Sequence, residues 1–301
     1  MTVPDLAPNT THEEEWPKEP LRPKVIKWLI ALAILIPFIW SVAGLQISIG
    51  RLWAAPGQVW ILVSGMFPPD FSDMGRLMAK LLESIYVAWI GTMIGAIFSF
   101  PAGFMAASNI SPKWVVGPTR AILSAIRAFP ELILAVIFIV PFGLGPFTGA
   151  MAIGLHSIGT LGKLTSEVIE GVDDGPVEAI QSSGGTRTQQ MRFGVVPQAM
   201  PNIVAYWLYR FEINVRASAV LGLVGAGGIG AEIVARLRFR ADWPKAGAAL
   251  ILTIVAVLII DAASAAIRRR IITGQPSKSP ISKWMMAITG SSRVPSTELE
   301  G

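Results

Sequence analysis

Four polar residues, Arg210, Glu212, Asn214 and Arg216, stand within seven positions of the otherwise apolar stretch Pro201 to Leu221. A charge at mid-membrane costs about 2.5–3.5 kcal/mol on insertion scales, so such groups face protein or water. Glu212 and Arg216 are four apart and neutralise each other on a helix, whereas Arg210 shares its face with Asn214 and lacks a partner in that helix. Two readings of Arg210 stand side by side: a cation lining the path of an oxyanion, or one half of an interhelical pair with Glu131 or Glu167. Arg127 and Glu131 are also four apart, across Pro130, and are expected to form an internal salt bridge. His156, Thr160, Lys163, Glu167 and Glu170 recur at steps of four and three, one polar stripe expected to face another helix or a dimer axis. Taken together, Arg210, Glu212, Asn214, Arg216 and His156 are the candidate substrate path. No catalytic set of serine, histidine and acid stands within reach, and a lone His156 reads as a satisfied buried histidine, so no metal is expected.

A second chemistry to test is nucleotide binding. "LGLVGAGGIG", Leu221 to Gly230, contains a formal G-x-G-x-x-G in Gly225, Gly227 and Gly230. A dinucleotide loop needs a strand before it and an acid about 20 residues on to meet a ribose. Asp242 is too near and Asp261 falls inside an apolar span, so these glycines are expected to serve a tight turn or close helix approach. "GTLGKLTS" at Gly159 has Ser157 where a phosphate loop needs its first glycine and Leu164 after the lysine, so it too fails.

The elements that must position these residues are membrane helices. Of 301 residues 52% are hydrophobic and only 15% charged, against about 25% charged in soluble domains. Cysteine is absent, which excludes disulfides, thiolate metal sites and cysteine nucleophiles. The net charge of +5 comes from basic residues lying between apolar runs rather than on one face, so nucleic acid is not an expected partner. Apolar spans at Trp28 to Leu45, Leu77 to Ala107, Arg120 to Val140, Pro146 to Val168, Pro201 to Leu221 and Lys245 to Ile267 make six, about 20 residues each being needed. The boundaries follow: a polar tail over 1–23, a first span with an apolar interfacial or re-entrant segment around Leu52, Trp53, Trp60 and Phe67 over 24–75, a core over 76–270, and a second tail over 271–301. Lys18, Arg22, Lys24 and Lys27 before the first span and Arg268 to Arg270 after the last put both termini in the cytoplasm. Arg236, Arg238, Arg240 and Lys245 then fall outside, against the charge rule.

The same count leaves "GVDDGPVEAIQSSGGTRTQQMRFGVVPQAMP", Gly171 to Pro201, in the cytoplasm. Gly175 suits an N-cap, Pro176 the first helical position and Glu178 the third, and Gly184 with Gly185 stops that helix. Thr186 and Gln189 make a capping box for a second short helix expected to end before Pro197. Glu178, Ala179, Gly184 and Pro197 carry the spacing that resembles the EAA loop of ATP-binding-cassette importer permeases, although Ile180, Gly194 and Val196 depart from its pattern. From Leu81 to Arg270 the chain resembles more narrowly the permeases of phosphonate importers, through "FPELILAVIFIVPFGLGPFTGAMAIGLHSIGTLGKL", "YRFEINVRASAVLGLVGAGGIG" and "DAASAAIRRR". The resemblance implies an all-α polytopic protein of about six transmembrane helices with the type I importer permease fold, in a bacterial inner membrane. It further implies a homodimer, two cytoplasmic ATPase subunits that bind the ATP and magnesium so that this chain holds no cofactor, an extracytoplasmic solute-binding protein, and a coupling role for 170–197. A permease of the same class for an amino acid or sulfonate, an ion-coupled transporter and an intramembrane enzyme are the alternatives. The last two lack the internal repeats or the catalytic sets they require.

Overall fold

The computed structural model describes residues 21–45 and 48–273. The two expected tails lie outside these residues apart from their innermost turns. Every regular element among the described residues is a helix. The chain divides into two units, Met1–Val63 and Ser64–Gly301. The first holds α1 (Leu21–Gly44) and most of α2 (Ile49–Gly65). Val25–Gly44 in α1 is a 20-residue apolar span, enough to cross a hydrocarbon core of ~30 Å. Of the apolar segment expected to be interfacial or re-entrant, Leu52, Trp53 and Trp60 lie in the helix α2 and Phe67 follows its end.

In the second unit α3 (Met74–Ala106) has 33 residues, about 50 Å of helix, and overshoots the bilayer core. It packs on α6 (Pro146–Glu170) through small residues at intervals of four. A methyl group on Gly95 or Gly103 would overlap Ser157 or Thr165, and one on Gly154 would sit 2.9 Å from Ile94 Cγ2. Such spacing lets two helices approach closely in lipid, where dispersion rather than water exclusion holds them together.

The third expected span is broken. α4 (Lys113–Ala128) and α5 (Glu131–Phe142) meet at 89°, because Pro130 has no N–H for the helix and drives Phe129 to an extended conformation, φ −85° and ψ 121°. The second short helix of the polar segment does not end before Pro197 either. α8 (Arg187–Gln189) continues through a π-helical stretch, Gln190–Val195, into α9 (Val196–Leu221), so the widened turn absorbs the proline without a break. The preceding α7 (Asp174–Ser182) stands apart. After a 3-10 turn at Gly222–Val224, α10 (Gly228–Val234) and a π-helical stretch, Ala235–Arg240, lead to α11 (Trp243–Thr273).

Among the described residues three helices are long and apolar enough to cross alone, within α1, α3 and α11, and two bent pairs raise the number to five. The fourth expected span, α6, has 25 residues and reaches about 37 Å. It is less apolar than the other spans because glycines and hydroxyls line the side that packs on α3 and the stripe of His156, Lys163, Glu167 and Glu170 runs along another.

Candidate functional site

The bend at Pro130 decides the fate of the intramembrane charges. It turns Glu131 into the first turn of α5, away from Arg127, so the expected salt bridge between them does not form. Glu131 instead pairs with Arg210 of α9, whose Nε also donates to Ser157 Oγ at 3.0 Å. Arg210 is 6% exposed. Of its two readings the structure adopts the interhelical pair, and it is not an open cation. His156 joins the pair, Nδ1 3.1 Å from the Phe129 carbonyl and Nε2 3.6 Å from Glu131. Asn214, fully buried, donates to Thr92 Oγ1 at 2.9 Å and Ser157 Oγ at 3.2 Å, and its Oδ1 has no partner among the described residues. This network ties α3, α5, α6 and α9 into one body.

Glu212 accepts from Arg216 at 2.9 Å, as four-residue spacing predicts, and also from Arg268 of α11 at 3.3 Å. Arg216 reaches Asp261 at 3.6 Å. The candidate path residues of α9 are therefore neutralised by α5 and α11, partners too distant in sequence for periodicity to reveal.

The polar stripe of α6 runs opposite the exposed face of α4. Lys163 lies 3.5 Å from Glu167, and Arg120 of α4 pairs with Glu170. These residues, with Ser124 and Ser166, line a cleft of about 300 Å³. A second cleft, about 400 Å³, is lined by Glu131, His156, Ala217 and Val220. Arg127 lines neither cleft; it is exposed, packs against Gly159 of α6, between His156 and Lys163 in the chain, and has no ion pair or hydrogen bond among the described residues. Sequence reasoning missed this face, although Arg120, Ser124 and Arg127 at steps of four and three in an apolar helix are a signal for it.

At the end of α3 nearer Ile110 lies the two-helix segment. Asp173, not Gly175, caps α7, accepting from the Gly175 N–H at 3.0 Å. The carboxylate satisfies a free helical donor that a glycine would leave to water. Gly184 stops the helix at φ +79°, and the Gly185 N–H closes the turn on the Ile180 carbonyl at 2.9 Å. The Thr186 and Gln189 capping box is present. Gly194, the departure from the expected pattern, is buried where a side chain would press on Val177, so its small size seats α7 on the π-helical stretch. Glu178, Ala179, Gly184 and Pro197 are all exposed. The segment is anchored to the bundle by Arg187 on the Ile110 carbonyl and by Gln198, which exchanges bonds of 3.0 and 3.1 Å with the Asp173 backbone.

The opposite end of α3 carries an ion-pair cluster. Glu232, 4% exposed, accepts from Arg236 at 2.9 Å and Arg76 at 3.1 Å, while Arg236, 1% exposed, reaches Asp73 at 3.2 Å and Asp242 at 3.7 Å. Lys245 adds contacts of 3.4 Å to both aspartates. Hydrogen bonding from Arg236, then from Lys245, holds the Asp73 carboxyl below its ordinary range. Of the basic residues that opposed the charge rule, Arg236, Arg240 and Lys245 are paired with acids, and Arg238 is exposed. The glycine motif sits beside them. It follows a helix, not a strand, and Gly225, Gly227 and Gly228 take φ of 94°, 73° and 71° in the turn before α10. A methyl on Gly230 would overlap the Ala219 carbonyl. The glycines make a turn and a close approach, as the sequence predicted.

A bent membrane bundle with an exposed, rigidly anchored two-helix segment at one end has the architecture of a transport subunit. The chain belongs to the family of binding-protein-dependent transport system inner membrane components, whose model matches residues 99–273. It is 39% identical over 209 residues to the phosphite transport system permease protein PtxC of Stutzerimonas stutzeri, covering 69% of this chain and 76% of that one. It is 41% identical over 209 residues to the phosphate-import permease protein PhnE of Mycolicibacterium smegmatis, covering 69% of this chain and 39% of that longer protein. The fold is that of ABC importer permeases: a chain of the inward-facing MetNI methionine ABC transporter superposes with a TM-score of 0.59 at 21% identity, over 66% of this chain and 98% of the other.

Proposed function

We propose that this chain is the membrane-spanning subunit of an ATP-driven importer of phosphonates or a related phosphorus oxyanion, working by alternating access. It pairs with a second copy of itself, receives solute from an extracytoplasmic binding protein, and is driven by two ATPase subunits that hold the ATP and magnesium. It lies in a bacterial inner membrane with both termini in the cytoplasm and with the division into tails, first span and core given by 1–23, 24–75, 76–270 and 271–301. The solute assignment draws on the relatives that carry phosphite and phosphate permease names. The coupling assignment rests on one observation, the segment from Asp173 to Pro197, exposed yet tied at Asp173 to Gln198 of α9 and at Arg187 to the Ile110 carbonyl in the turn between α3 and α4. A rigid element of this kind is what two arrangements of an ATPase need in order to push on a bundle. Beside Gly184 a shallow hollow lined by Ala179, Ile180, Gln189 and Phe193 would receive the ATPase surface.

Reconstitution of the chain with its ATPase and binding protein in proteoliposomes tests both parts. Uptake of radiolabelled phosphite or methylphosphonate is expected only with ATP inside. Gly184→Trp, which places a bulky side chain at a left-handed glycine on the docking face, should lower uptake more than tenfold while ATP is still hydrolysed. Wild-type uptake by that variant would remove the coupling role. For the topology, labelling of Arg238→Cys by an impermeant thiol reagent from the cytoplasmic side alone would reverse the orientation.

A further inference from the structure

We infer that the shared face of α4 and α6 is the solute track and that Arg127 is the cation an oxyanion meets halfway along it. This rests on the reading of the chain as an oxyanion permease and names the residue that serves it. Arg127 packs against the middle of α6. A methyl on Gly159, one residue past the midpoint of that helix, would sit 2.9 Å from Arg127 Cγ, and α6 extends roughly 16 to 20 Å to either side. At that depth an exposed, unpaired guanidinium is unsustainable against lipid, so the face it lies on meets water or another subunit.

The charges around it leave it in surplus. Glu131 is taken by Arg210, Glu167 by Lys163 and Glu170 by Arg120. Clefts of about 300 and 400 Å³ are lined from the same stripe of α6 by Lys163 and by His156, and Arg127 packs on Gly159 between those two residues. The chemistry left open is therefore a single fork of exposed N–H donors beside the polar stripe of α6, which matches the paired oxygens of a phosphorus oxyanion. Arg210 offers no such opening. An anion held by one exposed arginine, without a closed cage around it, is also free to leave, as conduction requires.

The chain has no native cysteine, so Arg127→Cys in the assembled transporter gives a direct test. Phosphite uptake should fall at least tenfold while the variant still co-purifies with its ATPase. The thiol should react with water-soluble methanethiosulfonates. The cationic aminoethyl reagent should restore uptake several-fold, and the anionic sulfonatoethyl reagent of similar size should not. Uptake within threefold of wild type, a thiol inert to aqueous reagents, or equal restoration by both reagents would overturn the assignment. So would a loss of assembly that Arg127→Lys repairs together with full uptake, since that places Arg127 in the contact between subunits. A wild-type complex that carries none of phosphite, phosphate and methylphosphonate sinks the oxyanion reading and this assignment with it. Wild-type uptake alongside an unaffected Arg127→Cys variant sinks the assignment alone.

Discussion

Two groups of charged residues serve this bundle in opposite ways. Around Glu232 and Arg236 the charges close on one another: each buried group has two or more opposite partners, and side chains from α3, α10 and the turn before α11 are bound into one knot. Along α4 and α6 the pairs are single, the groups half-exposed, and Arg127 has none among the described residues. A charge removed from water persists only where its partners replace its hydration. The first group meets that condition internally and so holds structure. The second meets it only with water or a solute present, and so is free to act on one. The difference gives a rule for reading membrane charges here: saturation marks the scaffold, and unsatisfied donors mark the track.

Breaking the closed group should have the largest effect. Glu232→Gln leaves Arg236 buried with weakened compensation and should cost roughly 3–5 kcal/mol, seen as a large loss of thermal stability in detergent. A loss under about 1 kcal/mol would mean the cluster is not a scaffold. The pair of Glu131 and Arg210 comes next. Arg210→Met or Glu131→Gln alone should destabilise by about 2–4 kcal/mol, and the double variant by less than the sum of the two, because together they remove both charges. Strict additivity in that cycle would show that the two do not interact. On the open face the comparison sharpens: Lys163→Gln removes one half-exposed pair and should change stability by about 0.5 kcal/mol or less, while slowing uptake. A stability loss of about 2 kcal/mol there would erase the contrast.

The smallest effect concerns acid. The Asp73 carboxyl is held below its ordinary 3.8, first by Arg236 and then by Lys245. A group depressed in the folded state contributes stability above its unfolded value and loses it as the pH falls through the folded one. Thermal stability should therefore decline as the pH drops below about 4, and Asp73→Asn should flatten that decline. An identical acid limb in the variant would show that Asp73 contributes nothing to it.

The capping box of Thr186 and Gln189 and the stop at Gly184 were legible because each depends on residues within a turn or two of one another, and the glycine motif failed as a nucleotide loop on the wrong spacing of its acids along the chain. The cap of α7 was misplaced by two residues, since Asp173 and Gly175 both suit the position and only the observed hydrogen bond separates them. The third span looked continuous because hydropathy sums over residues and does not register direction. Pro130 could have warned of the 89° bend, but its angle depends on what α5 packs against.

The sequence by itself determined that the chain is helical, lies in a membrane and presents an ordered polar segment between two of its long helices, since apolar length, caps and breakers act locally along the chain. Which arginine is free was decided only by tertiary structure. In sequence Arg127 has Glu131 four residues on and looks paired, whereas Arg210 has no partner in its own helix, and the structure reverses the two. Arg210 finds Glu131 79 residues away, and the bend at Pro130 that delivers this acid to Arg210 is the same bend that withdraws it from Arg127. Electrostatic pairing depends on distance in space, and only the packing of α4, α5, α6 and α9 fixes that distance.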